Sequence, residues 1–226
     1  MVRIRGWITD AWDLVGEDLP AFSIAAFITI SLSALSLFIL ALPLVAGLCI
    51  MFSEKMQGNK PTVSHLWEGV TARFPASITV WIIYLVASLP AYTLSSYLQY
   101  IHRSWWAVAM LALSSTIIWT PLFFVMQLIA DRDLSAREAM KLSWLRVRPH
   151  LGGIFACVVV YSIVMVFGLF ACGFGLIITL PLVTGAGMLA YRDLIGDYAV
   201  PQMIPIKEPE LDEQSGLHEG DEDEEG

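Results

Sequence analysis

The chain has 226 residues, of which 57% are hydrophobic and 15% charged, against about 25% charged in an ordinary soluble domain. A soluble fold of this size would lack the polar side chains to cover its surface, so the solvent for its apolar surface is lipid. The net charge of −8 belongs to one end. Residues 201–226 carry ten acidic side chains against Lys207 alone, whereas residues 1–200 hold 11 acidic and 12 basic ones.

In chain order, the first uncharged run covers residues 19–53. As one helix it would reach about 50 Å at 1.5 Å per residue, far beyond a hydrocarbon core of about 30 Å. Two short spans joined by a turn at residues 33–37 are expected instead. The second apolar region, residues 75–130, divides at the polar patch 99–104. The third, residues 151–190, divides at the glycines of 173–175. Six transmembrane helices result, and the fold class is all-α membrane protein.

Orientation follows from charge, because Lys and Arg collect in cytoplasmic loops. With six spans, one side receives Arg3, Arg5, Lys55, Lys60, Arg73, Arg132, Arg137, Lys141, Arg146, Arg148, Arg192 and Lys207, and the other only Arg103. A single helix over 19–53 would send Arg3 and Arg5 across to join Arg103, a poorer partition. Both termini are therefore expected in the cytoplasm. Residues 201–226, acidic and poor in apolar side chains, are expected to form a disordered cytoplasmic tail.

A spacing recurs three times. Ile8, Trp12, Val15 and Leu19 are followed by Pro20; Val63, Trp67, Val70 and Phe74 by Pro75; Met140, Trp144, Val147 and Leu151 by Gly152. Offsets of 0, 4, 7 and 11 place the four apolar residues on one stripe of a helix, and the Pro or Gly marks a break before the span. The second span of each pair carries Pro43, Pro121 or Pro181, each followed eleven residues later by a charge: Glu54, Arg132 and Arg192. The expected architecture is three tandem units (residues 6–58, 61–133 and 134–196), each an interfacial helix leading a two-span hairpin. Since every unit has an even number of spans, all share one orientation, and a pseudo-threefold axis along the membrane normal follows. An amphipathic helix with Trp on its apolar side lies in the headgroup plane, so Trp12, Trp67 and Trp144 are candidate interfacial anchors. Pro43, Pro121 and Pro181 are candidate kinks, serving either as packing wedges or as the openings of a cavity.

Chemistry is sparse. No Asp, Glu, Lys, Arg or His lies inside the expected spans, where such a group would mark a transport or catalytic site. Cys49, Cys157 and Cys172 sit singly in apolar runs without metal-ligand or disulfide spacing, and no phosphate-binding glycine loop is present. No catalytic, metal or cofactor site is expected, and no nucleic-acid partner. Gln127, Gly168, Gly185 and Gly187 read as helix-packing positions. Ser135 and Glu138 match a capping box that opens the third interfacial helix. On that helix and just beyond it, Arg137, Lys141, Arg146 and Arg148 are candidate contacts to anionic lipid headgroups, or an ordinary positive-inside loop.

The stretch 134–144, Leu-Ser-Ala-Arg-Glu-Ala-Met-Lys-Leu-Ser-Trp, and the ending 181–196, Pro-Leu through Ala-Tyr-Arg-Asp-Leu-Ile-Gly, resemble a broad group of bacterial inner-membrane proteins. That group is similar to the membrane domain attached to some glycerophosphodiester phosphodiesterases. The resemblance implies a six-helix fold and a bacterial cytoplasmic membrane. It implies no hydrolysis, since the chain has no room for the catalytic barrel. A non-enzymatic scaffold or a channel- or carrier-like component handling lipids or small amphiphiles is the expected role. The alternative is a membrane anchor that recruits a protein partner, or a second copy, through its cytoplasmic helices and tail.

Overall fold

A computed structural model of the chain describes residues 3–102, 106–170 and 174–196. The described residues are mostly helical, without a strand among them. Ten α-helices follow one another: α1 Ile4–Glu17, α2 Leu19–Leu35, α3 Ala41–Met56, α4 Ser64–Thr71, α5 Phe74–His102, α6 Trp106–Trp119, α7 Val125–Arg132, α8 Ala136–Val147, α9 Leu151–Phe170 and α10 Phe174–Tyr191. The expected tail, residues 201–226, and Cys172 lie outside the described residues.

Local sequence explains the breaks. Pro20, in the first turn of α2, begins a helix at no cost because its missing N–H would have no partner there. The chain turns by 102° between α1 and α2. Gly58, at φ 87°, supplies the left-handed residue that closes α3. Pro121 sits in a 3-10 turn at Thr120–Leu122 that separates α6 from α7. Asp133 adopts a left-handed φ of 52° after α7, and Ser135 then opens α8 with the expected capping box, each partner bonding the other's backbone N–H. A second 3-10 turn, Arg148–His150, joins α8 to α9 without interrupting the helical run.

Among the described residues four stretches are long and apolar enough to cross a membrane: Phe74–Ile101, Val108–Arg132, Ala136–Phe170 and Gly175–Ile195. The bent pair of α1 and α2 would add a fifth. The division of residues 75–130 falls where the polar patch placed it, between α5 and α6. The first hairpin differs from expectation. α2 and α3 are only 17 and 16 residues long, and the turn lies at residues 36–40, not 33–37. Residues 21–42 offer no glycine, proline or charge to mark a turn. Leu37 and Phe38 make the reversal themselves, in left-handed conformations at φ 52° and 65°.

At the centre, α3, α7 and α10 touch one another. Around them the contacts run in cyclic order. α2 packs on α3 and α10, α5 on α6 and α3, and α9 on α10 and α6. The short helices continue the pattern: α1 packs on α10, α4 on α3, and α8 on α7 and the Thr120–Leu122 turn. The core gathers at the inner helices, with Leu44, Leu48, Met51, Phe52, Phe124, Leu128 and Ile129 fully buried.

The buried seam of the short helices is displaced from the expected tryptophan stripe. α1 buries Trp7, Ala11 and Val15; α4 buries Leu66 and Gly69; α8 buries Ala136, Ala139, Ser143 and Val147. Small residues in the seam, among them Ala11, Gly69 and Ala139, let backbones approach closely, and the indole buried there is Trp7, near the start of α1. Trp12, Trp67 and Trp144 are left at the margin of the seam, 52%, 48% and 47% exposed.

Candidate functional site

One set of polar side chains meets at the ends of α3, α7 and α10, and others pair at the junctions α1–α2 and α4–α5. Helix geometry puts them there. Ten residues after Pro43, Pro121 and Pro181 stand Ser53, Asp131 and Tyr191, and the packing of the three inner helices brings them to one point. Ser53 Oγ donates to Asp131 Oδ1 at 2.9 Å, and the Tyr191 hydroxyl donates to Asp131 Oδ2 at 2.9 Å. Gln57 Nε2 donates in turn to Ser53 Oγ at 3.3 Å. The next residues along, Arg132 and Arg192, reach across the same junction. Arg132 Nη2 donates to the Ile195 carbonyl, and Arg192 Nη2 to the Ser53 carbonyl, both at 3.4 Å.

Three further links extend this hub. Trp7 Nε1 donates to Asp193 Oδ2 at 2.6 Å, tying α1 to the π turn Arg192–Gly196 after α10. Lys55 donates to Asp18 and pairs with Glu17 at 2.8 Å, fixing the end of α3 to the α1–α2 corner. Those two carboxylates, Asp18 first, hold the Lys55 ammonium above the ordinary lysine pKa. Arg73, between α4 and α5, pairs with Asp133 after α7.

Chemically the hub is a latch. Both oxygens of Asp131 accept a hydroxyl proton, and charge-assisted bonds of this kind outlast neutral ones. Among the described residues no group of three or more His, Cys, Asp or Glu could hold a metal ion.

The residues singled out from sequence fall elsewhere. Arg137, Lys141 and Arg148 are exposed, with Arg146 half-buried. Trp12, Trp67 and Trp144 lie on α1, α4 and α8, three separate helices. The three prolines differ in effect. Pro43 is in the first turn of α3 and bends nothing; Pro121 breaks the helix; Pro181 lies inside a continuous α10, as Pro90 does inside α5. Gln127 is buried beside Gly187, its Oε1 without a hydrogen-bonding partner. Gly168 faces Thr179 of α10, and Gly185 faces the Phe52 ring of α3, so both serve close helix packing.

Sequence reasoning missed Ser53, Asp131 and Tyr191, although the spacing from the three prolines pointed one residue away. The three types share no chemistry that a motif would pick out.

These features define an all-helical protein with apolar helices suited to membrane integration and one polar, cross-linked end. No family model, no curated protein and no solved structure matches the chain.

Proposed function

We propose that the chain is a non-enzymatic component of a bacterial cytoplasmic membrane, built from three tandem hairpin units around a pseudo-threefold axis along the membrane normal. Its role is that of a scaffold or carrier-like body for lipids or small amphiphiles, with both termini in the cytoplasm.

The observation that carries this reading is the convergence of Ser53, Asp131 and Tyr191, which occupy equivalent places in the three units. The cyclic order of helix contacts supports it. So does the bias of basic residues toward one side. The half-exposed Trp12, Trp67 and Trp144 on the three short helices suit a headgroup layer, and the exposed Arg137, Lys141 and Arg148 suit anionic lipid. The likeness of residues 134–144 and 181–196 to membrane domains attached to phosphodiesterases fits a supporting role, not a catalytic one.

Purification in native nanodiscs with mass spectrometry of what co-purifies tests the proposal. Enrichment of one lipid class over the bulk membrane supports lipid handling; a lipid profile equal to the bulk removes it. Recovery of a stoichiometric soluble protein, lost on deletion of residues 201–226, favours the alternative of a partner-recruiting membrane anchor. The acidity of those residues motivates that second reading.

A further inference from the structure

We infer that the α2–α3 hairpin enters the membrane from its charged end and turns back inside the hydrocarbon, so that its tip is an interaction surface for lipid acyl chains. The inference rests on the membrane reading above and concerns how far each hairpin reaches.

Length comes first. At 1.5 Å per residue, the 17 residues of α2 and 16 of α3 extend about 25 Å, short of a core of about 30 Å. The base of the hairpin is held at a polar level, because Lys55 near the end of α3 binds Asp18 and Glu17 just before α2. The last residues of α3, including Glu54 and Lys55, belong to that level, so the apolar part of α3 is shorter still. α5, by contrast, has 29 residues, or about 43 Å.

The tip has the composition of a buried surface. Leu35, Leu37 and Phe38 are 87%, 80% and 64% exposed, and Ile39 is exposed beside them. Ser36 is the only polar residue among positions 34–42. The last turn of α5 carries Gln99, Tyr100 and His102 instead, polar and aromatic types that suit the aqueous interface.

The amide hydrogen bonds of the turn suit a hydrocarbon surround. A turn in water can leave its amides to solvent, whereas one in hydrocarbon must satisfy them internally. Every N–H from residue 36 to residue 41 has an intrachain acceptor. Ser36 donates to Leu32 O, Leu37 to Ala34 O, Phe38 to Ser33 O, Ile39 to Ser36 O and Ala41 to Phe38 O. The remaining amide, Leu40, donates at 3.2 Å to the Ser36 hydroxyl, which itself donates to Ser33 O. The left-handed Leu37 and Phe38 are what this closure requires. Bulky side chains carry a conformational cost there, and an apolar surround favours keeping them.

Spin labels at single cysteines test the inference in bilayers, in a chain whose Cys49, Cys157 and Cys172 are replaced by alanine. The sites are Phe38→Cys at the tip, Tyr100→Cys near the α5–α6 connection and Val86→Cys along α5. Collision with dissolved oxygen and with charged chromium oxalate is read at each. The tip is expected to match Val86, oxygen-accessible and about tenfold or more less accessible to the chelate than Tyr100, since a charge in hydrocarbon costs a few kcal/mol. A tip as open to the chelate as Tyr100, through full crossing or local thinning, overturns the inference. A tip closed to both reagents overturns it too, because protein and not lipid then covers it. Chelate access at Val86 would instead defeat the membrane reading itself.

Discussion

The Tyr191 hydroxyl donates to Asp131 Oδ2 across 2.9 Å, and the two residues stand equally far along α10 and α7 from Pro181 and Pro121. Ser53 of α3 donates to the other carboxylate oxygen. One side chain therefore ties the ends of three helices that are distant in sequence. Tyr191→Phe is expected to lower stability by about 1 kcal/mol, the net worth of one such bond. Asp131→Ala should cost more, because it strips the acceptor from both hydroxyls at once; Asp131→Asn, which keeps a carbonyl acceptor, should fall between. Reversible unfolding in mixed micelles gives the ranking. If Ser53→Ala and Tyr191→Phe add to less than Asp131→Ala, the carboxylate acts as a common latch.

Gly69 of α4 and Gly47 of α3 bring two helix backbones into close contact. A Cβ at Gly69 would lie 2.5 Å from Gly47 Cα and 2.6 Å from the Pro43 carbonyl oxygen, and one at Gly47 would lie 2.5 Å from the Leu66 carbonyl oxygen. Backbone cannot yield as a side chain can. Gly69→Ala should therefore cost about 3 kcal/mol or more. Gly187→Ala is the control: its Cβ would meet only the free end of Gln127, 2.9 Å away. It should cost under about 1 kcal/mol. Equal losses in the two variants would show that the α3–α4 contact is not the tight one.

Much of this fold is legible in residue order, and the illegible parts have specific causes. Hydropathy locates the apolar helices, and the polar patch at 99–104 locates the α5–α6 break. Ser135 and Glu138 announce the start of α8 because a capping box is local chemistry. The α2–α3 turn escapes such reading, since a uniformly apolar run contains nothing that distinguishes residue 35 from residue 38. The seam on the short helices escapes it as well. An apolar stripe includes both Trp12 and Ala11, and only the closeness of α10 selects alanine. The hub is invisible by type because Ser53, Asp131 and Tyr191 become partners only when three helix ends meet.

Gln127 offers a test of what a polar group inside the bundle is for. It is 7% exposed, and its Oε1 accepts no hydrogen bond. A buried acceptor left without a donor costs about 1–3 kcal/mol. Methionine has nearly the same shape and no such requirement. Gln127→Met is therefore expected to stabilise the protein by about 1 kcal/mol, read as a higher midpoint in thermal unfolding. A loss of stability would mean that the amide makes a contact worth more than its desolvation.

The third short helix carries a pH-sensitive start. Ser135 Oγ donates to Glu138 Oε2 at 2.7 Å, and the Ser135 backbone N–H donates to the same oxygen at 3.2 Å. These two bonds hold the Glu138 carboxyl below its ordinary pKa, with Lys141 adding a smaller pull in the same direction. Because the folded pKa is the lower one, the cap's contribution is present in full above the ordinary glutamate value and disappears as pH falls through the lowered value. Amide exchange at Ser135 and Glu138, whose N–H groups are the two bonded in the box, should therefore accelerate beyond its intrinsic rate only in the acid range below the usual carboxylate pKa. Glu138→Gln should remove that pH dependence while keeping a neutral acceptor in place. Ser135→Ala should raise exchange at every pH, since it deletes the partner itself. Acid acceleration that persists in Glu138→Gln would assign the effect to another group.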